Sequence, residues 1–136
     1  MTYSSVVSKD SLRVTLTIVA LSYLDVLAFD IQNAYLTADC RERVWVVAGT
    51  DFGSKAENNI LVIKAFYGLK RSGAVFTAFL AETLDALGYR TSYTKLDVWF
   101  LPEVNPDSFE YYEYILCYID DVLCISHNPR KSMRMI

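Results

Sequence analysis

The chain has 136 residues, 53% of them hydrophobic and 21% charged, with a formal net charge of −3. This suffices for one domain around one modest core, and the composition excludes a disordered polypeptide. The negative balance excludes a free-standing nucleic-acid binder, whose surface is normally basic, so a nucleic-acid partner would need basic parts outside these residues.

Three cysteines, Cys40, Cys117 and Cys124, make an odd count without metal-type spacing. That pattern predicts reduced thiols in a reducing, intracellular setting and no disulfide framework. The longest apolar stretch, Val14 to Ile31, is broken by Asp25 and Asp30, so no membrane span is expected. It lacks a basic segment before it, so a signal peptide is not expected either.

Met1 to Lys9 is polar and expected to be loosely held. Asp10 or Ser11 is suited to cap a helix starting near Leu12. Leu12, Leu16, Val19, Ala20 and Tyr23 recur at helical spacing and predict its core face. A strand follows over Val26–Asp30. Asn33–Leu36 reads as a short turn or helical piece, Val44–Val47 as a strand, Gly49–Asn59 as a loop and Ile60–Ile63 as a strand. Tyr67–Gly73 is a turn with two glycines and a basic centre. The next helix spans about Gly73 to Leu87, with Phe76, Leu80, Leu84 and Leu87 as its stripe and Gly88 as its stop. Asp97–Leu101 reads as a strand and Pro102–Ser108 as a loop. Glu110–Tyr118 is the first arm of a hairpin whose second arm ends at Asn128-Pro129, and Lys131–Ile136 is a basic stub. His127, the one histidine, has no partner at metal or triad spacing and is expected at the surface. Together these elements predict an α+β fold, an antiparallel sheet with two helices packed on one face.

The chemistry concentrates at Tyr118-Ile119-Asp120-Asp121, where adjacent acids separate two apolar runs of strand length. Turn chemistry alone accounts for Asp at such a place. A second acid in a similar setting, Asp30 at the end of an apolar run, suggests more, because a carboxylate there is costly unless a cation meets it. If that run lies beside the hairpin, Asp30 and Asp120 converge at one end of a sheet. Three gathered carboxylates repel one another, and Mg²⁺ or Mn²⁺ would relieve the repulsion. Two such ions about 4 Å apart would stabilise the attacking and leaving oxygens of a phosphoryl transfer.

Three blocks carry a resemblance: Phe29-Asp30-Ile31-Gln32-Asn33-Ala34-Tyr35-Leu36, Lys64-Ala65-Phe66-Tyr67-Gly68-Leu69-Lys70, and Tyr118-Ile119-Asp120-Asp121. In order and spacing they resemble the reverse transcriptase of Ty1/copia-type retrotransposons, over about Ser5 to Pro129. The resemblance implies a polymerase palm, with 1–136 as a partial reverse transcriptase domain lacking most of the fingers, the thumb and RNase H. It implies Asp30 and Asp120 as principal metal ligands, Asp121 as the supporting carboxylate and the Ile31 carbonyl as a further ligand. It places Tyr35 under the incoming sugar, where a ring would exclude a 2′-hydroxyl; without that role Tyr35 is simply core. It sets Tyr67, Gly68 and Lys70 over the nucleotide and template, with Tyr118 and Ile119 beside them. The implied partners are an RNA or DNA template-primer, a deoxynucleoside triphosphate and other parts of a Pol polyprotein, with no membrane. The implied location is cytoplasmic or nuclear, or a retroelement particle. After Lys70 the family usually continues with Gln, a small residue and Pro, whereas this chain has Arg71-Ser72-Gly73, with an aromatic, Phe76, further on. Two other readings stay open at this level: an inactive remnant of such an element, and an unrelated α+β binding module whose acids only form turns.

Overall fold

The computed structural model describes residues 6–93 and 97–136, and these fall into two units. One holds Asn33–Phe76; the other holds the described residues up to Gln32 together with Thr77–Ile136.

The second unit opens with α1 (Lys9–Ser22). Its cap is Ser8, three residues earlier than Ser11, and the Ser8 hydroxyl accepts from the Ser11 N–H at 3.1 Å. The stretch ahead of it is tied down where it is described. The Val7 N–H donates to the Cys117 carbonyl at 3.1 Å and the Ser8 N–H to the Asp97 carboxylate at 3.0 Å. The buried side of α1 departs from the apolar spacing. Ser11 and Thr15 are buried, whereas Leu16 is 41% and Tyr23 89% exposed. Thr15 can be buried because its hydroxyl donates to the Ser11 carbonyl at 2.7 Å, leaving no polar atom stranded.

The strands of this unit are β1 (Asp25–Asp30), β4 (Arg90–Thr91), β5 (Val98–Val104), β6 (Glu110–Tyr118) and β7 (Asp121–Ser126). They form one antiparallel sheet in the order β1-β7-β6-β5-β4. The expected antiparallel α+β architecture is therefore present. β5 runs through Pro102, which the sequence places in a loop. Pro102 pairs with Tyr112 of β6, and on its other side β4 reaches only Trp99 and Phe100. The missing N–H thus falls on an open edge, where a strand tolerates proline.

Alternation along β6 sends its side chains to opposite faces. On one, Leu116 joins Leu24 and Ile125 in a buried cluster that Leu12 and Val19 of α1 cover. On the other lies Glu113, only 3% exposed. It accepts from the Tyr89 hydroxyl, just after α3 (Ser72–Ala86), and from the Ser132 hydroxyl at 2.7 Å. Ser132 belongs to α4 (Pro129–Met133), a helical turn in place of the expected basic stub. Asn128 and Pro129 set it up: the Asn128 side chain accepts from the Lys131 N–H, and Pro129 occupies the first turn. α4, which is not among the two helices expected from the sequence, meets the face of the sheet opposite to α1. His127 is likewise less exposed than expected. Its ring lies edge-on to Tyr111 at 4.6 Å, and its Nε2 is buried with no hydrogen-bond partner among the described residues. Gly88, with φ +95, ends α3 as predicted, in a backbone conformation that side chains rarely adopt.

The first unit contains α2 (Ala34–Thr37), β2 (Asp39–Val47) and β3 (Asn59–Lys64), the strands paired as an antiparallel ribbon. β2 extends five residues N-terminal of the expected Val44 start, and its register shifts between Asp39 and Val44, where charged Arg41, Glu42 and Arg43 hide the strand pattern. The predicted loop from Gly49 holds a 3₁₀ helix over Thr50–Lys55. Stripe residues Phe76, Leu80 and Leu84 of α3 are buried as expected.

All three cysteines are free. Burial pushes the Cys117 and Cys124 thiols up to about 12, helped by the charges of Asp97 and Glu113 respectively. A folded-state value above the unfolded one, about 8.5, means a stabilising contribution that is complete below that pH and lost as pH rises toward 12. At pH 8, iodoacetamide followed by mass spectrometry is expected to label Cys40 first. Cys117 and Cys124 should react only after denaturant is added, because the thiolate is the reactive form.

Candidate functional site

β1 and β7 run side by side with Asp30 opposite Asp121 as the terminal pair. One step further the Ile31 N–H donates to the Asp120 carbonyl at 2.9 Å. In an antiparallel ladder, bonded and non-bonded pairs alternate, so Asp30 and Asp121 occupy a non-hydrogen-bonded pair. There the Cα atoms lie about 4.5 Å apart and the side chains are at their closest. Both residues are exposed. Tyr118 of β6 pairs with Asp121 in turn and is 51% exposed. Asp30, Asp121 and Tyr118 thus form a row across three strands at one end of the sheet.

The hairpin turn consists of Ile119 and Asp120, between the paired Tyr118 and Asp121. Ile119 has φ +58. A positive φ at the first loop residue suits the right-handed twist of a tight hairpin, but glycine is the usual occupant. A β-branched residue there is strained, and such strain is concentrated at functional sites. Asp120 therefore sits in the turn, and the register makes Asp30 and Asp121 the facing pair. Among the described residues no three His, Cys, Asp or Glu side chains are grouped to hold a metal ion. The geometry offers two opposed hard-oxygen donors, a set that fits Mg²⁺ or Mn²⁺. Mg²⁺ usually keeps several waters and binds through one or two carboxylates plus substrate phosphates. Ile31 follows Asp30 directly, its N–H already committed to the turn.

The remaining candidates belong to the first unit. Tyr35 is on α2, seated by buried Ala34 and Ala38, and the Ala65 N–H donates to the Ala38 carbonyl at 3.0 Å. The Tyr67 ring lies against Tyr35 with centroids 4.4 Å apart, and the Phe76 ring meets Tyr35 edge-on at 5.8 Å. Gly68, at φ +94, turns the loop in a conformation that a side chain would oppose. Lys70 is exposed. Sequence reasoning missed Ser72 as an anchor of this loop. Its buried hydroxyl accepts from the Phe66 N–H at 3.1 Å and donates to the Phe66 carbonyl at 2.7 Å. A serine just before a predicted helix was the available signal. Arg71, at the departure from the family pattern, pairs with Glu42 at 2.9 Å.

The family model described as reverse transcriptase (RNA-dependent DNA polymerase) matches residues 1–134. The chain belongs to the reverse transcriptase family. It is 25% identical over 130 residues to the Retrovirus-related Pol polyprotein from transposon RE1 of Arabidopsis thaliana, covering 94% of this chain and 8% of that polyprotein. No solved structure matches. The resemblance carried by the three sequence blocks thus holds at the level of family, and the reverse transcriptase chain spans a small part of the retrotransposon polyprotein it resembles.

Proposed function

We propose that this chain supplies the carboxylate platform of a copia-type retrotransposon's RNA-directed DNA polymerase, joining deoxynucleotides to a primer by two-metal nucleotidyl transfer. The observation that carries this reading is the register of β1 against β7, which opposes Asp30 and Asp121 beside a strained turn holding Asp120. Asp30, Asp121 and Asp120 are the carboxylates that would hold Mg²⁺ or Mn²⁺, with the Ile31 carbonyl beside them. What a bound divalent ion supplies is charge neutralisation on the phosphates and activation of the primer 3′-oxygen. The chain's own task is positioning, the main source of acceleration in phosphoryl transfer. The strand ends fix the carboxylates, and Tyr118 and Ile119 beside them contribute to nucleotide and template binding. Tyr35 bars a 2′-hydroxyl, while Tyr67, Gly68 and Lys70 line the nucleotide and template side. The partners are a template-primer, a deoxynucleoside triphosphate and other Pol segments. The setting is intracellular, in cytoplasm, nucleus or a retroelement particle, and an acidic chain needs basic segments elsewhere to grip nucleic acid.

Two measurements on the purified 136-residue chain test this. Fluorescence titration is expected to show weak, Mg²⁺-dependent binding of dATP that Asp30→Asn or Asp121→Asn removes. Binding that ignores both the metal and the substitutions contradicts the site. Primer extension on an RNA template is expected to yield no product. Template-dependent synthesis abolished by Asp120→Asn would overturn the view that further segments are required.

A further inference from the structure

Tyr35 does not stand alone in its unit. Tyr67 lies against it at 4.4 Å with the ring planes tilted by 53°, and Phe76 approaches edge-on at 5.8 Å and 72°. The two supports differ in burial. Phe76 is on α3 and 2% exposed, a fixed wall, whereas Tyr67 is 58% exposed on the loop that turns at Gly68. That loop is fastened one residue before Tyr67, where the Ser72 hydroxyl spans both the N–H and the carbonyl of Phe66. The first residue of α3 therefore holds the backbone that delivers the Tyr67 ring.

We propose that Tyr67 and Phe76 are positioning residues for sugar discrimination: they hold the Tyr35 ring in the one place where it admits a deoxyribose and rejects a ribose. This rests on the reading of Tyr35 given above. The reason is geometric. Rejecting a single hydroxyl by contact requires the rejecting ring to be fixed to about 0.5 Å, and a tyrosine on a helix of four residues lacks that rigidity by itself. A tilted ring pair with Tyr67 and an edge-on pair with Phe76 supply it from two directions. The loop that seats the nucleotide would also set selectivity through Tyr67, so the two functions would be mechanically joined.

The test compares the affinities of the 136-residue chain for Mg²⁺-dATP and Mg²⁺-ATP, together with the ¹⁹F spectrum of fluorotyrosine-labelled protein, in which the Tyr35 signal is identified by its loss in Tyr35→Phe. The wild-type chain is expected to prefer dATP, and Tyr35→Ala to erase the preference. Tyr67→Leu should reduce the preference for dATP over ATP about fivefold, whatever its effect on dATP affinity itself, and shift the Tyr35 signal. Tyr67→Phe, which keeps the ring, should restore both preference and signal. Phe76→Leu should act in the same direction. Because it opens a cavity in the core, the exposed Tyr67 carries the decision. A preference untouched by Tyr67→Leu but erased by Tyr35→Ala overturns the inference and leaves the role of Tyr35 standing. Equal binding of the two nucleotides by the wild-type chain overturns the role of Tyr35 and the inference with it.

Discussion

Asp30→Asn is expected to stabilise the metal-free chain while abolishing its response to divalent ions. Asp30 faces Asp121 across a non-hydrogen-bonded pair, and like charges opposite one another destabilise a sheet by about 0.2–1 kcal/mol. Neutralising one acid should raise the melting temperature by roughly 1–3 °C in chelator. The gain should shrink with added salt, since both groups are exposed and their repulsion is screened. Millimolar Mg²⁺ should stabilise the wild type by about 1 kcal/mol through mass action, and the variant hardly at all. In a polypeptide where these residues do the polymerising, the same change should lower synthesis by about 10³-fold or more, because several kcal/mol of charge stabilisation is lost. Calorimetry with and without Mg²⁺ reads both signs in one experiment. An Asp30→Asn chain less stable than wild type in chelator would show that the acid serves the fold.

The largest loss of stability is expected from Ile125→Ala. Ile125 is fully buried, in a cluster with Leu24 and Leu116 that α1 covers. Truncating such a side chain costs about 2–5 kcal/mol, a large part of the stability of a small domain. Leu16→Ala, on the exposed side of α1, should change stability by about 0.5 kcal/mol or less. Urea denaturation of the two variants separates them. Similar losses would mean that α1 turns its leucine face inward after all.

That comparison also marks where the sequence misleads. Apolar spacing selects Leu12, Leu16, Val19, Ala20 and Tyr23 for the core; Leu12 and Val19 do pack there, but small, self-satisfied Ser11 and Thr15 also face inward while Leu16, Ala20 and Tyr23 face out. A periodicity rule weighs hydrophobicity and cannot register that a hydroxyl bonded to its own helix is cheap to bury. Pro102 hid the second half of β5 because nothing local reveals that its missing N–H meets an open edge. Charged Arg41, Glu42 and Arg43 hid the start of β2, and α4 was too short to show a stripe.

The long elements with strong patterns were legible. The β6–β7 hairpin, the buried stripe of α3 and the Gly88 stop lie where composition and spacing put them. At the candidate site, motif order brought Asp30 to the hairpin, but which acid faces it is a matter of register. A shift of one residue exchanges faces, and no local pattern reveals it. The structure pairs Asp30 with Asp121 and leaves Asp120 in the turn.

The central claim is that Asp30 and Asp121 together attract a divalent cation at the end of β1 and β7. Titrating the isotope-labelled 136-residue chain with trace Mn²⁺ and following paramagnetic broadening of its amide signals tests this most directly. Signals of Asp30, Ile31, Asp120 and Asp121 should broaden first, excess Mg²⁺ should restore them, and either Asp30→Asn or Asp121→Asn should remove the effect. Broadening centred elsewhere, or persisting undiminished in both variants, would contradict it.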